Sequence, residues 1–288
     1  MTFDFGGWDY ALMLAVAVQA TVLAYVRSPR MKAILYSIPI PFTLASLSLG
    51  RPVDVTHVLG LPLVFLYTNG VRWLHIGLRV PIVLAILAGA LAHCVIGATV
   101  SHWVPVTETA FWVAMAAVVA FSVWQYIAMP HRHEPDHRSP LPVAVKFVLI
   151  LLIISGLVVV KEMLRGFMAF FPMVGLVAAY EARHCLWTLG RQVPVMMLAM
   201  CPLLGICHVA QAWWGLGGGL AAGWVVFALA LAGLSRRLFE EARGEPLSGV
   251  GATRRVALAQ KEGEAAPRPY RPEIEERNLQ EIQDGPHV

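Results

Sequence analysis

The chain has 288 residues, 58% of them apolar and only 14% charged, with a mean hydropathy of +0.65. Soluble domains are about half apolar and a quarter charged, so an ordinary soluble globule is excluded. The charge is uneven: residues 235–288 hold 9 of the 22 Lys and Arg and 10 of the 18 Asp and Glu, which makes an apolar body with a polar tail. The net charge of +4 sits between apolar runs and not on one soluble face, so no nucleic-acid partner is expected.

A stretch of about 20 apolar residues crosses a bilayer. Reading apolar runs against their polar punctuation predicts an all-α, polytopic transmembrane helix bundle of about nine spans, at 8–26, 33–49, 55–71, 80–100, 107–129, 142–160, 164–180, 193–213 and 217–234. Asp4 and Asp9 take the place of the positive region of a signal peptide, so the first span is read as a retained helix. The third and seventh are short and carry internal prolines, Pro62 and Pro172. Basic residues next to spans favour the cytoplasmic side. Eleven of them (Arg27, Arg30, Lys32, Arg72, Arg79, Arg132, Arg138, Arg183, Arg191, Arg236, Arg237) fall on one set of connections and three (Arg51, Lys161, Arg165) on the other. The N-terminus is therefore expected outside and the C-terminus in the cytoplasm. After residue 234 the composition turns rich in Gly, Pro, Ala and Glu, and the tail is expected to be cytoplasmic and largely disordered. A weak amphipathic pattern at Ile274, Leu279 and Ile282 could dock on a protein partner.

Two internal offsets compete. A shift of 113 places Tyr67 on Tyr180, Gly77 on Gly190, Pro81 on Pro194 and Cys94 on Cys207, which implies a parallel repeat of four spans. A shift of 133 places 30–39 on 163–172, matching a basic residue and the proline seven residues after it, which implies an inverted repeat. Chance similarity between apolar segments is the third reading. The pattern of a basic connection followed by a small-residue span with an early proline resembles small GlpM-type integral membrane proteins of bacteria. The resemblance implies a bacterial inner-membrane location and no catalytic motif.

Ionisable groups inside spans are costly unless they line a path or find partners. His93 and Cys94 in the fourth span and Cys207 and His208 in the eighth are expected at similar depth, with the two histidines facing each other or a shared cavity. They suit either a proton relay or interhelical hydrogen bonding; without ligand spacing along either helix, no metal site is expected. Arg51, Asp54 and His57 at the mouth of the third span suit either an ion path or a helix cap by Asp54. The run from His131 to Arg138 reads as a solvated loop, because Pro135 breaks the helical spacing between His133 and His137. Arg72 and Arg79, with Arg183, His184 and Arg191 in a second connection, alternate with Trp73 and Trp187 as interfacial segments do, and suit anionic headgroups or an anionic substrate. No phosphate loop, nucleophile elbow, HExxH or CxxC occurs, and no cofactor is expected. The expected function is movement of a small solute or lipid-linked molecule across the bacterial inner membrane. The alternative is a non-transporting scaffold or assembly factor for a cell-envelope complex, and catalysis is the weaker reading.

Overall fold

The computed structural model describes residues 6–26, 28–130 and 165–242, and among these all regular structure is helical. The chain divides into two units, Met1–Arg236 and Arg237–Val288; the second is described only through 242, the helical end of the last element. The expected sixth span, the loop at 131–138 and most of the tail lie outside the described residues.

The first helix, α1 (Gly7–Tyr25), starts where Asp9 accepts a hydrogen bond from Gly6 N at 2.9 Å. The second expected span is two helices, α2 (Pro29–Ser37) and α3 (Ile40–Leu49). Pro39 and Pro41 lack amide hydrogens and their rings clash with the preceding turn, so the helix stops after Ser37 and restarts at Ile40. Two carbonyls at this break are held by α1: Gln19 Nε2 donates to Leu35 O at 2.8 Å and to Ile38 O at 3.1 Å.

The third expected span is one helix, α4 (Val55–Arg72), with Pro62 inside it. It lies in the middle of the bundle, packed against α5 (Ile82–Trp103) and α6 (Glu108–Ala128). A π-helical turn at Trp73–Gly77 and Arg79, in the left-handed region with φ of 57°, join α4 to α5.

The seventh expected span is not a continuous helix. A 3-10 turn, Arg165–Phe170, and α7 (Met173–Glu181) are separated at Phe171 and Pro172. Pro172 forces the same kind of restart as Pro39. The 3-10 turn packs on α4, where a Cβ at Gly60 would lie 2.8 Å from Phe170 Cδ2.

The last element, α8 (Leu186–Ala242), breaks at Gly215, whose φ of 66° and ψ of 177° only glycine adopts readily. Its arms within the first unit, 186–214 and 216–236, fold against each other through small residues. A Cβ at Gly219 would lie 2.9 Å from Cys207 O, and one at Gly223 would lie 2.8 Å from Leu203 O. This four-residue glycine spacing is what lets membrane helices approach closely.

Among the described residues, five helical stretches suffice by length and composition to cross a membrane: Gly7–Tyr25, Met31–Leu49, Ile82–Trp103, Glu108–Ala128 and Leu186–Leu234. Polar residues such as His57, Asn69 and Arg72 keep α4 out of that group while most of its side chains are buried. Leu84, Leu87, Leu91 and Val95 form an exposed apolar stripe on α5, as a lipid-facing surface requires. The segments paired by the 113-residue shift differ locally, since Pro81 precedes α5 whereas Pro194 lies inside α8. Those paired by the 133-residue shift both place a proline at a break, Pro39 before α3 and Pro172 before α7.

Candidate functional site

Polar side chains gather at the two ends of the bundle and around the proline breaks. At the first end, Asp54 caps α4 by accepting from Thr56 N at 2.9 Å, and its Oδ1 lies 3.1 Å from His57 Nδ1. Burial pushes the Asp54 pKa up, but the hydrogen bond and charge of His57 and the bonds from Thr56 outweigh it, leaving the carboxyl at about 2. The 3-10 turn seals this cap, with Gly166 N donating to Thr56 Oγ1 at 3.1 Å. A Cβ at Gly166 would lie 2.5 Å from His57 Nδ1 and nearer still to Thr56 Oγ1.

Next to the cap, α8 grips the strap before α4. Val53 N donates to Gln211 Oε1 at 2.8 Å, and Gln211 Nε2 donates to Val53 O at 3.0 Å. His208 Nδ1 also contacts Val53 O at 2.8 Å, its Nε2 lies 2.9 Å from Glu108 Oε2, and its ring stacks on Phe111 at 3.8 Å. Arg51 is exposed on the same strap. Ser48 at the end of α3 donates to Asp9 of α1.

The opposite end gathers the basic residues. Lys32, counted in the sequence among the connection charges, is 1% exposed and donates from Nζ to Glu181 O at 3.0 Å. Arg72 stacks over Trp187 at 4.7 Å, Arg191 Nε donates to Met129 O at 3.1 Å, and Arg183 Nη1 donates to Tyr180 O at 3.3 Å. His184 is exposed and Arg79 is exposed beyond the π-helical turn.

His93 and His208 share no partner among the described residues. His93 packs edge-on against Phe171 at 5.2 Å, and neither of its nitrogens makes a hydrogen bond of good geometry, although backbone groups of Leu63 and Phe167 approach the ring. The helices do not start alike relative to these prolines: α8 begins at Leu186, well before Pro194, whereas α5 begins just after Pro81, so equal spacing from them does not set equal depth for the two histidines. His93 lies about 15 Å of helix rise from Trp103, and His208 about 10 Å from the Gly215 turn. With Tyr67, His93 provides the polar part of an otherwise apolar groove of about 280 Å3 between α4 and α5, bordered by exposed Leu66, Trp73 and Ile96.

The two proline breaks meet at a separate cavity of about 60 Å3, room on the order of four water molecules. Ser37 to Phe42 supply one wall, Ala169 to Gly175 the opposite one, and Val64, Met196 and Met200 close it. Tyr36 lines the cavity and is 7% exposed. A Cβ at Gly175 would lie 3.2 Å from Tyr36 Oη. Tyr36 approaches Thr68, but the Thr68 hydroxyl donates to Val64 O at 2.9 Å and no hydrogen bond of acceptable geometry joins the two. Ser37 Oγ accepts from Gln192 Nε2 at 3.1 Å. Neither α3 nor α7 has a side-chain cap at its N-terminus.

Sequence reasoning passed over Tyr36, Tyr67, Gln19 and Gln192, because isolated tyrosines and amides inside apolar runs form no motif. The available signal was the proline seven residues after a basic residue, present at Lys32 and Pro39 and again at Arg165 and Pro172. Among the described residues, no group of three His, Cys, Asp or Glu comes together to hold a metal. No protein-family model matches this chain, and neither a curated protein nor a solved structure matches it.

Proposed function

We propose that this chain is a membrane transport protein that moves a small solute by opening the cavity between α3 and α7 to one side of the bilayer at a time. The observation that carries this reading is the meeting of two helix breaks, before Pro39 and Pro172, at one cavity inside the bundle. Backbone left unpaired in hydrocarbon costs several kcal/mol per group, so broken helices at membrane depth are retained where they line a cavity. Discontinuous helices of this kind form substrate sites in secondary transporters. The cavity's size favours a small solute over a lipid-linked one.

The nine-span topology fits this proposal. Eight of the nine expected spans fall on described elements, namely α1, the α2–α3 pair, α4, α5, α6, the 3-10–α7 pair and two arms of α8, and the ninth, at 142–160, lies outside the described residues. The basic residues at the Lys32 end support placing that end, and the C-terminal tail, in the cytoplasm of a bacterial inner membrane. Segments related by the 133-residue shift are five spans apart, an odd number, so they run in opposite directions. The matched prolines support an inverted repeat over a parallel one.

Two-sided labelling tests the proposal without knowledge of the solute. Cys94, Cys185, Cys201 and Cys207 form no disulfide in the structure and are replaced by Ala. Met196→Cys, in the cavity wall, is then exposed to a membrane-impermeant thiol reagent in right-side-out and inside-out vesicles. Labelling from both sides is expected. Labelling from neither side contradicts transport through this cavity and favours the scaffold alternative.

A further inference from the structure

We infer that the groove between α4 and α5 holds one acyl chain of an anionic phospholipid, with the headgroup at Arg79. This inference goes beyond the transport reading and does not depend on it.

The groove, of about 280 Å3, owes its room to α5. Leu84, Leu87, Leu91 and Val95 project from this helix as an exposed stripe, whereas Ala88 and Ala92, exposed beside them four residues apart, carry only a methyl group each. Leu63, Leu66 and Gly70 of α4 form the other wall. Tyr67 and His93 also line the groove, but the hydroxyl and both ring nitrogens are buried, so the surface they lend is carbon. Such a lining suits a hydrocarbon chain better than a polar solute.

The length of the groove matches one leaflet. Along α4 it runs from Trp73 to Leu63, about 15 Å of helix rise, which is half of a hydrocarbon core about 30 Å thick. The backbone of Leu63 approaches the His93 ring, so both walls reach that depth together. The entrance is marked by Trp73 and Ile76, exposed apolar side chains on the π-helical turn, and by the basic connection that follows.

Arg79 is the independent indication of an anionic head. Leu78 N donates to Trp73 O at 3.1 Å and Val80 N to Leu74 O at 3.0 Å, so the backbone on either side of Arg79 is folded back onto two residues of the groove entrance. His75 Nδ1 lies 2.9 Å from Val80 O and closes the same loop. Arg79 is exposed and holds a left-handed φ of 57°, a conformation that disfavours residues with a Cβ and that glycine would adopt more readily. A strained arginine at the mouth of an apolar groove puts a cation where the head of an anionic lipid lies. Its neighbour Arg72 is engaged over Trp187 at 4.7 Å. A second copy of this chain suits the groove less, because copies sharing one membrane orientation bring like-charged connections together. A free fatty acid would leave the stripe at Leu84, Leu87 and Leu91 bare, whereas the second chain of a phospholipid covers it.

The test follows the thermal stability of the purified full chain in detergent during titration with dioleoyl phosphatidylglycerol, dioleoyl phosphatidylcholine or sodium oleate. A saturable rise in Tm with phosphatidylglycerol is expected, half-complete at about fivefold lower concentration than with phosphatidylcholine, the effect of one basic residue beside an anionic headgroup. Ala92→Phe puts a ring into the groove from an exposed position, and it is expected to keep the parent's Tm without lipid and to lose the rise. Arg79→Gly relieves the left-handed strain, so it is expected to be at least as stable as the parent without lipid while the preference for phosphatidylglycerol falls to near one. Equal responses to the two phospholipids, an equal response to oleate, or variants that titrate like the parent would each overturn the inference. A lipid-free dimer that Ala92→Phe dissociates would assign the groove to a second copy and overturn it as well. The phospholipid comparison on the parent needs neither variant to fold. Two-sided labelling of Met196→Cys reports on transport separately, so failure of one reading leaves the other standing.

Discussion

The cap around Asp54 and the cavity around Tyr36 both lie where α3, α4 and the segment at 165–181 meet, yet they use their polar groups in opposite ways. At Asp54 the conspicuous groups are occupied: the carboxylate holds Thr56 and His57, Gly166 N reaches Thr56, and His208 and Gln211 hold Val53. At the cavity the groups are inconspicuous and open, consisting of a tyrosine hydroxyl and uncapped helix amides. Residues with evident chemistry stabilise the first region, whereas plain backbone with one hydroxyl forms the second. A buried open donor costs stability unless something binds it.

The contrast breaks most visibly at Gly166. Gly166→Ala forces a methyl into His57 and Thr56 and is expected to cost about 3 kcal/mol through overpacking, read as loss of thermal stability in detergent. A negligible loss would mean that the 3-10 turn does not seal the cap. Gly223→Val comes next, at about 2 kcal/mol, because its side chain meets Leu203 O and separates the arms of α8 that hold His208 and Gln211 in place. Gly233→Val, with open space around the Cβ position, should be neutral in the same assay.

Asp54→Ala is expected to cost about 1.5 kcal/mol through loss of the cap. It also tests a pH dependence whose sign is fixed: a carboxyl held at about 2 in the folded protein stabilises above its ordinary value and loses that contribution as pH falls. The parent should therefore lose stability between about pH 4 and pH 2 relative to Asp54→Ala, and parallel stability profiles would contradict the proposed role of His57 and Thr56. The smallest effect has the opposite sign. Tyr36→Phe removes a buried hydroxyl that makes no hydrogen bond of acceptable geometry and should stabilise the protein by about 1 kcal/mol. Destabilisation there would show that the Tyr36 hydroxyl is bonded and that the two regions are alike.

Apolar periodicity made most helix positions legible, including α4 despite Pro62 and the separation of α8 into arms near Gly215. It failed at 164–180 because the effect of Pro172 depends on whether neighbouring helices can satisfy the freed backbone. Pro62 leaves α4 intact, whereas Pro172 separates two short elements. Asp54 was legible as a cap from its place before an apolar run. The cavity was not, because Tyr36 counts as apolar in any hydropathy reading and helix amides have no sequence signature. Lys32 read as a connection charge beside Arg27 and Arg30; its burial depends on Glu181, distant in sequence.

Labelling of Met196→Cys from both faces of the membrane tests the central claim most directly. If the proline breaks border a site opened alternately to each side, the reagent reaches Met196→Cys from both faces. Labelling confined to one face, or from neither, would contradict that account.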